Sequence, residues 1–373
     1  MIRPSRRLAR PAPVPPPMTT NSDLPSPSSP ATSSSSAPRS PSARAEASEA
    51  RLSEFSLIDR FFARATRQGE QVALGIGDDC ALLRAPAGEQ LAVSTDMLVE
   101  GRHFFADVDP RSLGHKTLAV NLSDLAAMGA RPLGFTLALA LPDSDPAWLA
   151  PFADGLAALA DRFACPLVGG DTTRGPRNLC VTVFGSVPGA HALRRDAARP
   201  GDDIWISGTV GDARLALGAI RGEWSLTDDD LVVARRALEW PEPQVALGLA
   251  LRGVARAALD ISDGLLGDLG HILTRSGVSA RVNVDDVPRS SLLAAQAPEI
   301  QRLCTLAGGD DYQLCFCADP AQRQRIEAIG GELGMRLTRI GTIALLDARH
   351  MMQLHDNTGA AVAAEFKSFD HFQ

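Results

Sequence analysis

No apolar run in this sequence approaches the ~18 residues that a membrane helix requires, which argues against a membrane protein. Basic charge is in deficit. Lys and Arg total 37 against 44 Asp and Glu, so no electrostatic footprint for nucleic acid is present. CxxC is missing among the six cysteines, Cys80, Cys165, Cys180, Cys304, Cys315 and Cys317. A zinc knuckle is thereby excluded, and a disulfide framework is out of place in a chain of 373 residues. The cysteines read as small core residues of a protein kept in a reducing cytoplasm.

Common catalytic signatures are also missing. There is no GxxxxGK[ST] loop, no HRD with DFG, and no complete GxGxxG opening a helix after a strand. No Ser-His-Asp arrangement is evident.

Residues 1–50 differ from the rest. They hold 11 of the 26 prolines, a serine tract, and six Arg against three acids. Such a composition cannot bury a core and predicts a disordered tail. No secretory apolar core follows the basic start, and a transit peptide would be amphipathic and poorer in proline. The chain from residue 51 onward carries 31 basic and 41 acidic residues.

Strand and helix patterns alternate along the body and restart near Pro200-Gly201-Asp202. This predicts an α/β (α+β) protein of two domains, 54–187 and 188–373, with the boundary near 188–200. One helix is well signalled: Asp109 caps it, Pro110 suits its first turn and Gly129 ends it. Leu118, Leu122 and Leu125 form its buried stripe. Thr117, Asn121 and Asp124 form a polar row beside it, expected to face a cleft or solvent. His115 and Lys116 on the same helix read as structural, since no motif surrounds them. His271 reads as a surface or packing residue, and Ser262 as a helix cap.

Four segments share one form: VSTD, VGGD, LDISDG and AGGDD. Each is an apolar run, then small residues, then Asp, and each reads as a strand ending at an acid. GIGDD, at residues 75–79, adds another pair. One Gly-Asp is ordinarily a turn, and Asp285-Asp286 and Asp228–Asp230 read as solvated loops. Repetition of the form is what points to function. Magnesium prefers hard oxygen ligands shared with substrate phosphates, and glycines let a phosphate approach backbone N–H groups. The acids therefore read as a multi-metal phosphoryl-transfer site.

GIGDDCALL, STD followed by GRHF, KTLAVNLSDLAAMGARP, GGDTTRGP, DISDGLLGDLGHI, GGDDYQLCF and FKSFDHF occur in this order. The ordered set resembles bacterial thiamine-monophosphate kinase, in the aminoimidazole ribonucleotide synthetase-like superfamily, from about Glu54 to the end. The resemblance implies ATP-dependent phosphorylation of thiamine monophosphate to thiamine diphosphate in the cytoplasm. It also implies a homodimer formed through the N-terminal sheet, with a C-terminal α/β domain closing the cleft. By position, Asp79, Ser94, Thr95, Asp96, Asp124, Asp171, Asp260 and Asp263 resemble ligands of several Mg²⁺ ions. Gly170, Asp171, Arg195 and Ser262 resemble ATP contacts. His103, Asp310 and Phe366 resemble contacts to thiamine phosphate. Asp310 stands where the family often has Glu, and Phe366 where it often has Trp. Two other readings remain: a selenophosphate or aminoimidazole ribonucleotide synthetase-like enzyme, and a non-catalytic nucleotide or thiamine sensor.

Overall fold

The computed structural model describes residues 54–62, 70–347 and 349–363. The expected disordered tail, 1–50, and Phe366 lie outside the described residues. Helix α1 (Glu54–Leu57) runs into a π turn, and β1 (Val72–Leu74) pairs with β2 (Leu82–Leu83). Next come β3 (Glu89–Val99), α2 (Pro110–Ala127), β4 (Arg131–Leu141), α3 (Pro146–Arg162), β5 (Leu167–Arg174) and β6 (Asn178–Pro188). Their sheet has the order β3-β6-β4-β5. Strand β6 is antiparallel to both β3 and β4, and β5 is parallel to β4.

The chain continues through β7 (Asp203–Ser207), α4 (Asp212–Ile220), α5 (Asp228–Glu239), α6 (Val245–Ala250), β8 (Ala257–Asp260) and α7 (Leu265–Ser276). It ends with β9 (Ser279–Asn283), α8 (Ser291–Ala294), α9 (Pro298–Ala307), β10 (Leu314–Ala318), α10 (Arg323–Leu333), β11 (Leu337–Ala344) and β12 (Met352–His355). This second sheet runs β12-β9-β11-β7-β10-β8. The architecture is a two-sheet α/β fold with helices laid on the sheets.

Helix α2 joins the halves. Asp109 caps it by accepting the Arg111 N–H at 3.0 Å, Pro110 opens it, and Gly129 turns the chain out at φ 63°. It packs on α3, β3 and β6 on one side and on α6 and β8 on the other. Leu118, Leu122 and Leu125 are buried, and their cluster runs from Phe135 and Phe152 in one half to Trp205 and Phe316 in the other. Burial of each such leucine contributes about 1.5–3 kcal/mol.

Three expectations need correction. Asp96 and Asp171 do not end strands, since β3 continues to Val99 and β5 to Arg174, and Asp310 follows helix α9 rather than a strand. Pairing with β6 continues through Asp96, opposite Val181, so the small residues before the acid do not break the ladder. Second, Thr117 and Asn121 face neither cleft nor solvent. Thr117 donates to its own helix at Leu113 O, and Asn121 accepts the Asp96 N–H at 3.2 Å. With both faces of α2 covered, only Asp124 of that row reaches a cavity. Third, Ser262 does not cap α7; Gly264 occupies that position at φ 119°.

Candidate active site

A cavity of about 700 Å³ opens between β3, α2 and the loops before α7 and β10. Asp96 from β3, Asp124 from α2, Asp260 at the end of β8 and Asp263 all line it. So do Ser262, His103, Lys116, Asp310 and Tyr312. Thus two sheets and the helix between them each deliver acids to one space.

Burial raises the Asp96 carboxyl to about 7, and the charges of Asp124, Asp260 and Asp263 add to the shift. Asp260 is likewise lifted to about 7 by burial first and by Asp124 second. Ser123, one residue before Asp124, donates its hydroxyl to Asp260 at 2.7 Å and opposes that shift. Asp124 is raised by burial, against the Ser94 hydroxyl that donates to it and the nearby Arg195 charge. Carboxylates pushed upward by burial and by one another form a site that a cation stabilises.

The loop after β8 is held from within α7. Asp268 Oδ2 accepts the N–H groups of Ser262, Asp263 and Gly264 at 3.0, 3.1 and 3.1 Å. This carboxylate ties down the loop ahead of α7, while the helix itself has no side-chain cap. At Gly264 an added Cβ would sit 2.9 Å from the Ala307 backbone, so the loop needs glycine there. The Gly308–Tyr312 loop docks on the same segment: Asp310 N donates to Ser262 O and Tyr312 N to Ile261 O. Below it, Asp311 is half-buried with its Oδ2 enclosed; it accepts the Gly211 N–H at 2.8 Å, and desolvation of its carboxyl holds it well above the usual carboxylate range.

His103 accepts the Val99 N–H at Nδ1, 3.0 Å away. The neutral ring therefore carries its proton on Nε2 and can donate from that atom. Lys116 lies 2.8 Å from Asp310, and the Tyr312 hydroxyl donates to the same oxygen.

Two family models match the chain. The AIR synthase related protein N-terminal domain covers residues 77–187 and the C-terminal domain 199–344. Thiamine-monophosphate kinase of Salmonella typhimurium is 44% identical over 322 residues, 86% of this chain and 98% of that protein. The chain belongs to the thiamine-monophosphate kinase family. The Haemophilus influenzae member is 40% identical across 78% of this chain and 89% of its own. Among solved structures, thiamine-monophosphate kinase from Stenotrophomonas maltophilia K279a superposes at TM-score 0.76 with 47% identity, covering 84% of this chain and 99% of its own. AaThiL complexed with AMPPCP and TMP superposes at TM-score 0.67 with 28% identity, over 86% and 97% of the two chains.

The residues expected from resemblance to thiamine-monophosphate kinases do not all share one position. Ser94, Asp96, Asp124, Asp260, Ser262 and Asp263 converge, and His103 and Asp310 line the same cavity. Arg195 is exposed but close enough to lower Asp124. Thr95 also lines the cavity, although its hydroxyl pairs with that of Thr182, 2.9 Å away. Asp79 stands exposed on its turn, where Asp78 accepts its N–H at 2.9 Å. Gly170 and Asp171 are exposed in β5, and a Cβ on Gly170 would lie 2.0 Å from Leu137 O.

Among the described residues, no three carboxylate, imidazole or thiol groups close on a single ion. The hard oxygen donor set nevertheless fits Mg²⁺, which takes one or two carboxylates and completes its shell with phosphate and water. Sequence reasoning misplaced Lys116, which lines the cavity in an ion pair. His115 is structural, with a ring nitrogen 2.8 Å from Pro241 O and the Trp240 ring beside it. Asp268 and Tyr312 were missed; neither stands out in a motif read residue by residue.

Proposed function

We propose that this kinase transfers the γ-phosphoryl group of ATP to the phosphate of thiamine monophosphate, releasing thiamine diphosphate and ADP. The observation that carries this reading is one cavity in which mutually raised acids, His103 and the Lys116–Asp310 pair lie together. The likeness to AaThiL with AMPPCP and TMP supports a nucleotide and an acceptor held side by side.

In this reading Asp79, Ser94, Thr95, Asp96, Asp124, Asp171, Asp260 and Asp263 hold Mg²⁺. Asp171 also joins Gly170, Arg195 and Ser262 in holding ATP. Bound Mg²⁺ neutralises charge on the transferring group. The acceptor oxygen already belongs to an ionised phosphate, so no strong general base is needed. His103 donates Nε2–H to the acceptor, and Asp310 and Phe366 hold its organic part. Asp268 keeps the loop carrying Ser262 and Asp263 in one shape, so positioning is established before the nucleotide arrives.

The N-terminal half, 54–187, would be the nucleotide-binding and dimerising domain, and 188–373 the domain over the cleft. Leu91, Val93 and Met97 on β3 are more than half exposed, which supports burial of that face in a homodimer. Six unpaired cysteines support a cytoplasmic setting. Among the described residues, no helix is long and apolar enough to cross a membrane.

The test is to supply ATP, Mg²⁺ and thiamine monophosphate and to follow thiamine diphosphate and ADP. Equal formation of both is expected, with no ATP consumption on selenide or an aminoimidazole precursor. ATP turnover on either of those acceptors, or binding of thiamine monophosphate without turnover, would replace this reading with one of its two rivals.

A further inference from the structure

Lys116 Nζ and Asp310 Oδ1 are 2.8 Å apart, and the lysine side chain is only 5% exposed. Tyr312 donates its hydroxyl to the same carboxylate oxygen at 3.0 Å. Asp310 and Tyr312 both hold left-handed backbone, at φ 65° and 50°. Non-glycine residues adopt that region at a cost. The cavity lining given by α2 runs from Ser112 and Leu113 through Lys116 and Val120 to Asp124. At 1.5 Å per residue, Lys116 stands about 4.5 Å along the axis from Leu113 and about 12 Å from Asp124. The loop entering the N-terminal end of α2 adds Phe104, Phe105 and Val108 to the lining. Lys116 therefore stands between an apolar stretch and the acids.

We propose that Lys116 binds the acceptor's phosphate, and that the Lys116–Asp310 pair enforces selection of an acceptor carrying both a cationic ring and a phosphate. This rests on the reading of thiamine monophosphate as the acceptor. Lys116 is buried and Asp310 only half-buried, with 32% of its side chain exposed, so parting the pair leaves the lysine above all uncompensated unless the ligand supplies it with a partner. Thiamine monophosphate brings both: its cationic ring takes Asp310 and its phosphate takes Lys116. Thiamine brings only the cation and would strand Lys116. Inorganic phosphate brings only the anion and would strand Asp310. Rejection of a ligand that leaves a buried polar group unpaired is stronger than rejection by shape. The pair is thus an internal stand-in for the two charges of the substrate.

The test measures affinities of full-length protein for thiamine monophosphate and for thiamine by calorimetry, without ATP. Wild type should prefer thiamine monophosphate. Lys116→Met should weaken thiamine monophosphate about tenfold or more, the scale of one lost charged contact. It should leave thiamine unchanged or tighter, because Asp310 is no longer engaged. The preference between the two ligands then collapses. Equal weakening of both would mean that Lys116 only props Asp310, and would overturn the proposal. Asp310→Asn supplies an independent check should Lys116→Met fail to fold. With Lys116 released, the preference for thiamine monophosphate should hold or grow, and its loss would also overturn the proposal. Wild type binding neither ligand would instead sink the acceptor assignment, a different result from an unchanged preference in the variants.

Discussion

Protein stripped of divalent cations should lose stability between pH 6 and pH 8. Asp96, Asp260 and Asp268 are each raised from 3.8 to about 7. A folded state that binds protons more tightly than the unfolded chain is favoured at low pH. The stabilisation is full below about 3.8 and is lost as pH rises through about 7. For one independent carboxyl, the loss between pH 6 and pH 8 is about 1.4 kcal/mol. Asp96 and Asp260 share charge with Asp124, so their ionisations are not independent. The combined loss should fall between about 1.5 and 4 kcal/mol, or about 3–15 °C in melting temperature.

His115 works the other way, because burial lowers its pKa from 6.5. Its contribution is present above about 6.5 and is lost as pH falls. Comparison with Asp96→Asn cancels that background. The variant keeps the side-chain shape, removes one ionisation and relieves Asp260, so its melting temperature should vary with pH distinctly less. Magnesium at a hundred times its dissociation constant stabilises by about 2.7 kcal/mol. The gain should be larger at pH 8 than at pH 6, since a protonated carboxyl does not ligate. Thermal unfolding followed by circular dichroism, with chelator and with Mg²⁺, measures all of this. Equal pH slopes in the variant and wild type would refute the reasoning, as would a chelated protein that melts higher at pH 8.

Asp268→Asn should lower kcat about 10–100-fold, as loss of a group that orients metal ligands does, while circular dichroism stays native; unchanged kcat would mean the three N–H groups hold the loop without it. Ser123→Ala removes the hydroxyl that Asp260 accepts and should cost about 1 kcal/mol in chemical denaturation; no change in stability would show that water replaces it at no cost. Val93→Glu places a charge on the exposed apolar face of β3 and should yield a monomer by sedimentation; a variant still dimeric would move the interface elsewhere.

Helix α2 was legible because its signals are local. Asp109, Pro110 and Gly129 mark its ends, and the spacing of three leucines marks its buried side. The converging acids were legible for another reason: each sits beside small residues in a stretch with few competing explanations. The strand ends were misread because small residues before an acid look like a turn. Only the ladder to β6, far along the chain, shows that β3 passes straight through Asp96. Lys116 was hidden because its partner, Asp310, lies on a loop of the other half. Nothing near Lys116 in sequence distinguishes a buried, paired lysine from a surface one. Asp268 was hidden for a similar reason. An acid in the first turn of a helix is ordinary, and its three donors become visible only when the loop folds back over it.

These features share one physical origin. A cavity lined by Asp96, Asp124, Asp260 and Asp263 is electrostatically unfavourable until cations arrive. Its shape must therefore be maintained by forces other than the acids themselves. Helix α2 provides them by burying Leu118, Leu122 and Leu125 against both halves. The same helix carries Lys116, which pairs with Asp310 on the loop before β10, Ser123, which bonds Asp260 of β8, and Asn121 and Asp124, which both bond β3. A substitution such as Leu122→Ala would cost about 2–5 kcal/mol and release all four polar side chains together. Apolar burial outside the cavity thus holds repelling carboxylates in place, and the residual repulsion is what would favour a cation among them.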